Sequence, residues 1–327
     1  MNTQLKDLIK KAFAFLSIKI TLLNKKNEFY QLGLNNNNSE IFKKGKKIIL
    51  KDFGLSINYD KHYYILKGLG YMYNLKTLHR AEFEIDTNDV FIIKINHLTY
   101  NIQTFEELFI LNEIFVSGIY NISTNKKFSV IDIGMNVALT SLYFAQNPNC
   151  LSIYSFEPFK LTFEQAMLNL ELNPEIKDKI RAFNFGLGKD NKALTVTYDK
   201  EIKGNMGING IPEYLIHQNQ GVENEEINIR DASEILYPII NALKSYDQDV
   251  VLKIDCEGSE YDIFDSFGKS KILHHFNVVL IEWHFKGPEQ ICSYLKEEGF
   301  TFLSLNPNDK NSGSIYAVNK KIPIKYT

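Results

Sequence analysis

From about residue 90 onward, short apolar runs alternate with longer stretches in which apolar positions recur every three or four residues. The runs Val130–Ile133, Leu151–Phe156, Ile180–Phe185, Val250–Ile254, Asn277–Trp283, Phe300–Leu305 and Ser314–Val318 predict strands. Helical spacing covers Leu139–Ala145, Thr162–Leu172, Ala232–Leu243, Tyr261–Phe267 and Glu289–Glu298. Strands that alternate with helices are the signature of a parallel sheet with helical crossovers, so the expected fold class is α/β, a doubly wound sheet of about seven strands. Only Asn306–Ser312 separates the last two strands, which is too short for a parallel crossover, so this pair should run antiparallel.

The first hundred residues read differently. Met1–Leu23 has an apolar stretch interrupted by Lys10, Lys11 and Lys19, which predicts an amphipathic helix packed on the protein and not a signal peptide. Asn35–Asn38 and the basic run Lys43, Lys44, Lys46, Lys47 are low-complexity patches; Ile48–Leu50 then predicts a short strand. The basic run reads as a solvated face. The expected division is an N-terminal α+β extension of unknown role over residues 1–100 and a main domain over 101–327.

Composition narrows the function. A chain of 327 residues with 44% hydrophobic and 23% charged residues is globular, and its formal charge of -2 lacks the basic excess that holds a phosphate backbone, so nucleic acid is not an expected partner. No apolar run approaches the ~20 residues of a membrane span. Cys150, Cys256 and Cys292 are odd in number and widely separated, which fits buried small side chains in a reducing, cytoplasmic setting; a homo-oligomer is compatible with this composition.

The chemistry concentrates at strand ends. In Val130-Ile-Asp-Ile-Gly-Met-Asn136 an apolar strand breaks at Gly134 directly before a helix, which offers a ligand close backbone approach and unpaired N–H groups. A nicotinamide fingerprint would require glycine where Asn136 stands, which disfavours an oxidoreductase of this fold. Glu157 ends the next strand, about one βαβ unit later, where a carboxylate can accept both hydroxyls of a ribose. Lys253-Ile-Asp-Cys-Glu-Gly-Ser-Glu260 closes a third strand with Asp255, Glu257 and Glu260; Asp255, nearest the strand end, is the site candidate, and Glu260 reads as a charge favoured at a helix start.

These segments, together with Leu139–Ala145, Tyr154–Phe159, Asn184–Gly188 and Ile281–His284, resemble the FkbM family of methyltransferases over about residues 105–320. The resemblance implies a class I methyltransferase (Rossmann-like) sheet with an antiparallel last strand, S-adenosylmethionine as cofactor, and acceptor hydroxyls on small molecules such as macrolides and on sugars. It implies that Asp132, Gly134 and Asn136 hold the methionine end, Glu157 the ribose and the turn at Gly186–Leu187 the adenine side, with Asp255 nearby. One departure is Ala138, where the family usually has glycine. The expected function is O-methylation of a sugar, nucleotide-activated or glycan-linked, in bacterial surface polysaccharide biosynthesis. A non-sugar small-molecule acceptor, a nicotinamide oxidoreductase and a non-catalytic Rossmann-like binding protein are the alternatives.

An alkyl hydroxyl needs activation. His284, after the Ile281–Trp283 run, is the candidate base, because an imidazole titrating near ~6.5 suits that role. Asp255, Glu257 and Glu282 could instead hold a divalent cation, while Lys253 either serves the reaction or pairs with one of the acids. Tyr214 and His217 lie in the polar insertion Lys203–Glu226, which is expected to face the acceptor.

Overall fold

A computed structural model describes residues 41–44, 47–122, 124, 126–199, 203–204, 206–208, 223–305 and 311–319. The expected N-terminal helix, Asn35–Asn38, Lys46, and Tyr214 and His217 of the insertion lie outside the described residues. The chain forms two compact units, 1–67 and 68–327.

In the first unit, β1 (Ile41–Lys44), β2 (Lys47–Leu50) and β3 (Leu55–Asn58) form an antiparallel meander, followed by helix α1 (Tyr63–Lys67). The expected strand at Ile48–Leu50 is β2. Its side chains alternate, so Ile48 and Leu50 are buried with Leu55 and Ile57 of β3, while Lys47 and Ile49 are exposed.

The second unit opens with α2 (Leu69–His79) and a second meander, β4 (Glu82–Ile85), β5 (Phe91–Ile95) and β6 (Leu98–Ile102). The segment 68–100, expected with the N-terminal extension, thus lies in this unit. Helix α3 (Phe105–Asn112) follows; Thr104 caps it by accepting the Glu107 amide at 3.3 Å, and one π-helical turn (Glu113–Ser117) extends it. Then come β7 (Phe128–Ile133), α4 (Leu139–Ala145), β8 (Cys150–Phe156), α5 (Lys160–Glu171), β9 (Ile180–Phe183), β10 (Gly186–Gly188), β11 (Lys192–Tyr198) and β12 (Glu223–Asp231). The chain continues through α6 (Ala232–Leu243), β13 (Asp249–Ile254), α7 (Glu260–Ser270), β14 (Val278–His284), α8 (Glu289–Glu297), β15 (Phe300–Leu305) and β16 (Ser312–Asn319).

Among the described residues, seven strands form the central sheet in the order β15-β16-β14-β13-β7-β8-β9. Pairs from β14 to β9 are parallel, and β16 runs antiparallel to both β14 and β15, as the short connection requires. This is the doubly wound α/β sheet with an antiparallel last strand that the sequence predicts. Every residue of β7 is buried, as expected of a strand covered on both faces. The residues expected to form a turn, Gly186–Leu187, are instead the short strand β10, which pairs parallel with β12 in a separate three-stranded sheet; Ile229 of β12 packs so close that a Cβ on Gly186 would meet it at 2.7 Å. The three cysteines are free, Cys150 buried and the other two partly so. No described helix is long and apolar enough to cross a membrane.

The β4–β6 sheet joins the core through amides on α5. Asn169 accepts the Asn101 amide at 2.7 Å and donates to the Val137 carbonyl at 2.8 Å; Asn173 accepts from the Thr99 amide at 2.9 Å and donates to its carbonyl at 2.7 Å. These side chains pair the outer backbone groups of β6, which burial would otherwise leave without partners.

Replacing Asn169, which is fully buried, by leucine strands one backbone donor and one acceptor. At about 1–3 kcal/mol for each group, Asn169→Leu is expected to lose roughly 2–6 kcal/mol in urea unfolding, whereas an exposed change such as Leu168→Gln on the same helix changes stability little.

Candidate functional site

Strand order locates the site. The chain leaves β7 for β8 on one side and returns to β13 on the other, so the crevice at the C-terminal ends of β7 and β13 is the switch point where ligands of such sheets bind. Backbone bonds carry the alignment past the strand ends: Gly134 and Met135 donate to the Phe156 carbonyl at 3.1 and 2.9 Å, and Asp255 donates to the Ile133 carbonyl at 3.0 Å. A cavity of about 570 Å³ opens there, within the size range of a nucleoside-sized ligand. Gly134, Asn136, Glu157, Gly186, Leu187, Asp255 and His284, all named from sequence, line it; Asp132 and Lys253 do not.

Gly134 has φ +82°, and a Cβ there would stand 1.7 Å from the Asp255 carbonyl oxygen, so only glycine fits between the two strand ends. Asn136 and Ala138 also have positive φ, 51° and 66°. Asparagine tolerates this region, and its Oδ1 accepts the Val137 amide at 2.8 Å. For alanine the same backbone costs roughly 1–2 kcal/mol. The Ala138 side chain is fully buried and does not border the cavity, so its methyl group does not narrow it.

Asp132 and Lys253 stand behind the cavity wall. The Lys253 ammonium donates to the Gly134 carbonyl at 2.6 Å and lies 3.2 Å from Asp132 Oδ1 and 3.7 Å from Asp255 Oδ2. The Ser141 hydroxyl of α4 donates to Asp132 Oδ2 at 2.5 Å. Burial opposes the charge on Lys253, but the carboxylates of Asp132 and Asp255 outweigh it and hold its pKa above the ordinary lysine value. The pair therefore supports the Gly134 loop as an ion pair.

Glu157 takes the Asn136 amide on Oε2 at 2.9 Å and the Phe159 amide on Oε1 at 3.0 Å. Each oxygen keeps one acceptor site free. Burial pushes the carboxyl up to about 7, against the two amides and Lys253, which favour its charge.

The opposite wall is acidic. Glu260 is completely buried and does more than mark a helix start: it accepts the Cys256 amide (3.2 Å) and the Gly258 amide (2.9 Å), and it contacts His284 Nδ1 at 3.0 Å. His284 Nε2 lies 3.4 Å from Glu257 and 3.7 Å from Glu282. Asp255 accepts from the Tyr120 hydroxyl at 3.2 Å. One ring cannot compensate so many acids. Burial pushes Glu257 well up and Glu282 up, each reinforced by Asp255, and it raises Glu113, facing the same wall, to about 8. Burial alone would lower His284, but the hydrogen bond its ring donates to Glu260 and the charge of Glu257 reverse this and push it up to about 10. The sequence expectation of an imidazole titrating near ~6.5 therefore fails, because these carboxylates stabilise the imidazolium.

Sequence reading passed over Glu106, Phe109, Ile110 and Glu113, which line the cavity from α3 and its π turn. Their i, i+3, i+4, i+7 spacing puts two acids on the apolar stripe of one helix, the signal that marked them. Tyr120 carried no local signal. Phe285, just after His284, has φ +69° and is 45% exposed at the cavity rim. Of the insertion, Lys203 is buried against Glu107 at 3.2 Å, and Met206–Ile208 border the cavity.

Residues 132–302, more than half of the chain, match the Methyltransferase FkbM domain family. The methyltransferase sdnD of Sordaria araneosa is 26% identical over 235 residues, spanning 65% of this chain and 90% of that protein. Methyltransferase 1 of Beauveria bassiana is 26% identical over 169 residues, spanning 47% of this chain and 65% of that one. The solved structure of methyltransferase FkbM from Methylobacillus flagellatus aligns at 14% identity and a TM-score of 0.40, over 63% of this chain and about half (47%) of that one.

Lys253→Met removes the only cation beside the buried Asp132 carboxylate among the described residues. Breaking one partner of a buried pair costs about 3–5 kcal/mol, so this variant is expected to lose that much in equilibrium unfolding. The double change Lys253→Met with Asp132→Asn should recover part of the loss, and full additivity of the two changes would contradict the pairing.

Proposed function

Because the chain belongs to the FkbM methyltransferase family, we propose that it is an S-adenosylmethionine-dependent O-methyltransferase acting in the cytoplasm on a sugar hydroxyl, nucleotide-activated or glycan-linked. The observation that carries the reading is the convergence of Gly134, Glu157 and Asp255 from three strand ends on one cavity. The residues suit the cofactor: a glycine loop at the strand ends that borders the cavity, and a buried carboxyl at Glu157 with acceptor sites to spare. S-adenosylmethionine supplies, when bound, an electrophilic methyl group on a sulfonium.

In this reading Gly134 and Asn136 border the methionine end, Glu157 accepts the ribose hydroxyls, and Gly186 and Leu187 cover the adenine. Asp132 and Lys253 hold the Gly134 loop and are positioning residues. The acidic wall favours a cationic donor by its charge, and alignment of the acceptor oxygen contributes about 7–11 kcal/mol to the rate. Phe109 and Phe285, both substantially exposed, offer ring faces to a sugar at the rim. Cytoplasmic action rests on the free cysteines.

Glu157 makes cofactor binding pH-dependent. Ribose hydroxyls donate to the ionised carboxylate, so affinity for S-adenosylhomocysteine should rise between pH 6 and 8 as the group, held at about 7, loses its proton. For folding the sign is opposite: a raised carboxyl contributes stability that is complete below its unfolded value near 4.5 and is lost as pH rises through about 7. Calorimetry should show Glu157→Ala weakening binding by about 1.5–3 kcal/mol and Glu157→Gln abolishing the pH dependence; unchanged affinity in folded variants would remove Glu157 from the site.

The acceptor is tested by methyl transfer from labelled donor to sugar nucleotides, isolated glycans, macrolide hydroxyls, RNA and peptides. Turnover is expected on a carbohydrate. Turnover on RNA or peptide alone would overturn the acceptor class and leave methyl transfer standing.

A further inference from the structure

We propose that Asp255, Glu257 and His284 bind a divalent cation of the manganese or magnesium class at the acceptor side of the cavity. One ligand atom from each residue lies within 4.8 Å of the other two. Metal–ligand bonds of about 2.1 Å put neighbouring ligand atoms about 3 Å apart and opposite ones about 4.2 Å apart, so only a small contraction brings the three onto one ion. All three residues face the same cavity, which leaves the remaining positions to water or to an acceptor oxygen.

The histidine carries the second observation. Its Nδ1 is fixed on Glu260, which the Cys256 and Gly258 amides hold in place and which is completely buried. A carboxylate behind the far nitrogen of a ligating histidine is the recurrent outer support of metal sites, because it sets the tautomer and orients the ring. Here it leaves Nε2 toward Glu257 and Glu282. The Tyr120 hydroxyl gives Asp255 similar support.

Charge points the same way. Glu113, Asp255, Glu257 and Glu282 border this wall, and Lys253 is already held by Asp132 and the Gly134 carbonyl. A dication there supplies positive charge to a wall lined by these four carboxylates. Two carboxylates and one imidazole suit hard to borderline ions, with manganese a good match and thiophilic metals a poor one.

The role of the ion, though not its binding, rests on the methyl-transfer reading. An acceptor hydroxyl drawn to the cation becomes more acidic and gives its proton to Glu282, which borders the cavity outside the ligand set. The oxygen then forms the new O–CH3 bond while the C–S bond breaks and its electron pair stays on sulfur. The products are the methyl ether, S-adenosylhomocysteine and one proton.

The test is electron paramagnetic resonance titration of the full chain with Mn2+ alone, with Mg2+ as competitor, beside calorimetry of S-adenosylhomocysteine. The wild type should bind one Mn2+, and Glu257→Gln and His284→Asn should weaken it at least tenfold while both variants stay folded and their cofactor affinity changes little. Glu260→Gln, in the outer support, should weaken it about 10–100-fold. A folded wild type that binds S-adenosylhomocysteine but no Mn2+ at millimolar concentration overturns the cation site and leaves methyl transfer intact. Mn2+ affinity that is equal in wild type, Glu257→Gln and His284→Asn overturns it as well. Mn2+ bound as expected in a chain that never binds S-adenosylhomocysteine keeps the cation site and removes the role assigned to it.

Discussion

Strands β7 and β13 end side by side with Asp132 and Asp255 and share one buried ammonium, that of Lys253. The arrangement closes only if Lys253 also reaches the Gly134 carbonyl, and that contact holds the loop against the Asp255 backbone. Everything in the cavity inherits its position from this cross-link. Gly134 sits where no side chain fits, the following residues turn through two positive φ values, and the Asn136 amide reaches Glu157 on the neighbouring strand. A buried ion pair adds little net stability, so its value here lies in register: it sets the ends of two strands from distant parts of the chain at one level.

From that platform the two walls separate in character. On the β8 side, backbone amides saturate part of a single carboxylate, an arrangement suited to neutral hydroxyl donors. On the β13 and β14 side, carboxylates crowd one imidazole, and the excess charge attracts cations. Negative potential suits the cationic donor proposed above for a chain whose residues 132–302 match the FkbM methyltransferase family. The acidic wall also raises the His284 pKa to about 10, through its hydrogen bond to Glu260 and the charge of Glu257.

The described start of the insertion and helix α3 border the same space from outside the sheet. Glu107 is pinned by its own helix start and by Lys203, and Glu106 accepts the Gly204 amide at 2.9 Å, so the beginning of the insertion is tied to α3. Residues bordering the cavity therefore come from segments far apart in sequence, as specificity elements commonly do.

Sequence alone determined the sheet, the order of its strands and helices, and the residues at the strand ends, because apolar periodicity and glycine breaks are local signals. Helices Leu139–Ala145 and Ala232–Leu243 were legible to the residue, and the final antiparallel strand followed from a connection too short to cross over. Gly134, Asn136, Glu157, Asp255 and His284 were legible as lining residues because strand ends meet at one edge. Three things were decided only by the tertiary structure. Lys253 and Asp132 turned inward as an ion pair, since burial and partner distance are not sequence properties. Gly186–Leu187 became a strand because β12 arrived beside it from forty residues on. The pKa of His284 rises because Glu260, Glu257 and Asp255 surround it, and the free energy of a proton depends on charges brought within a few ångströms by folding and not on neighbours along the chain.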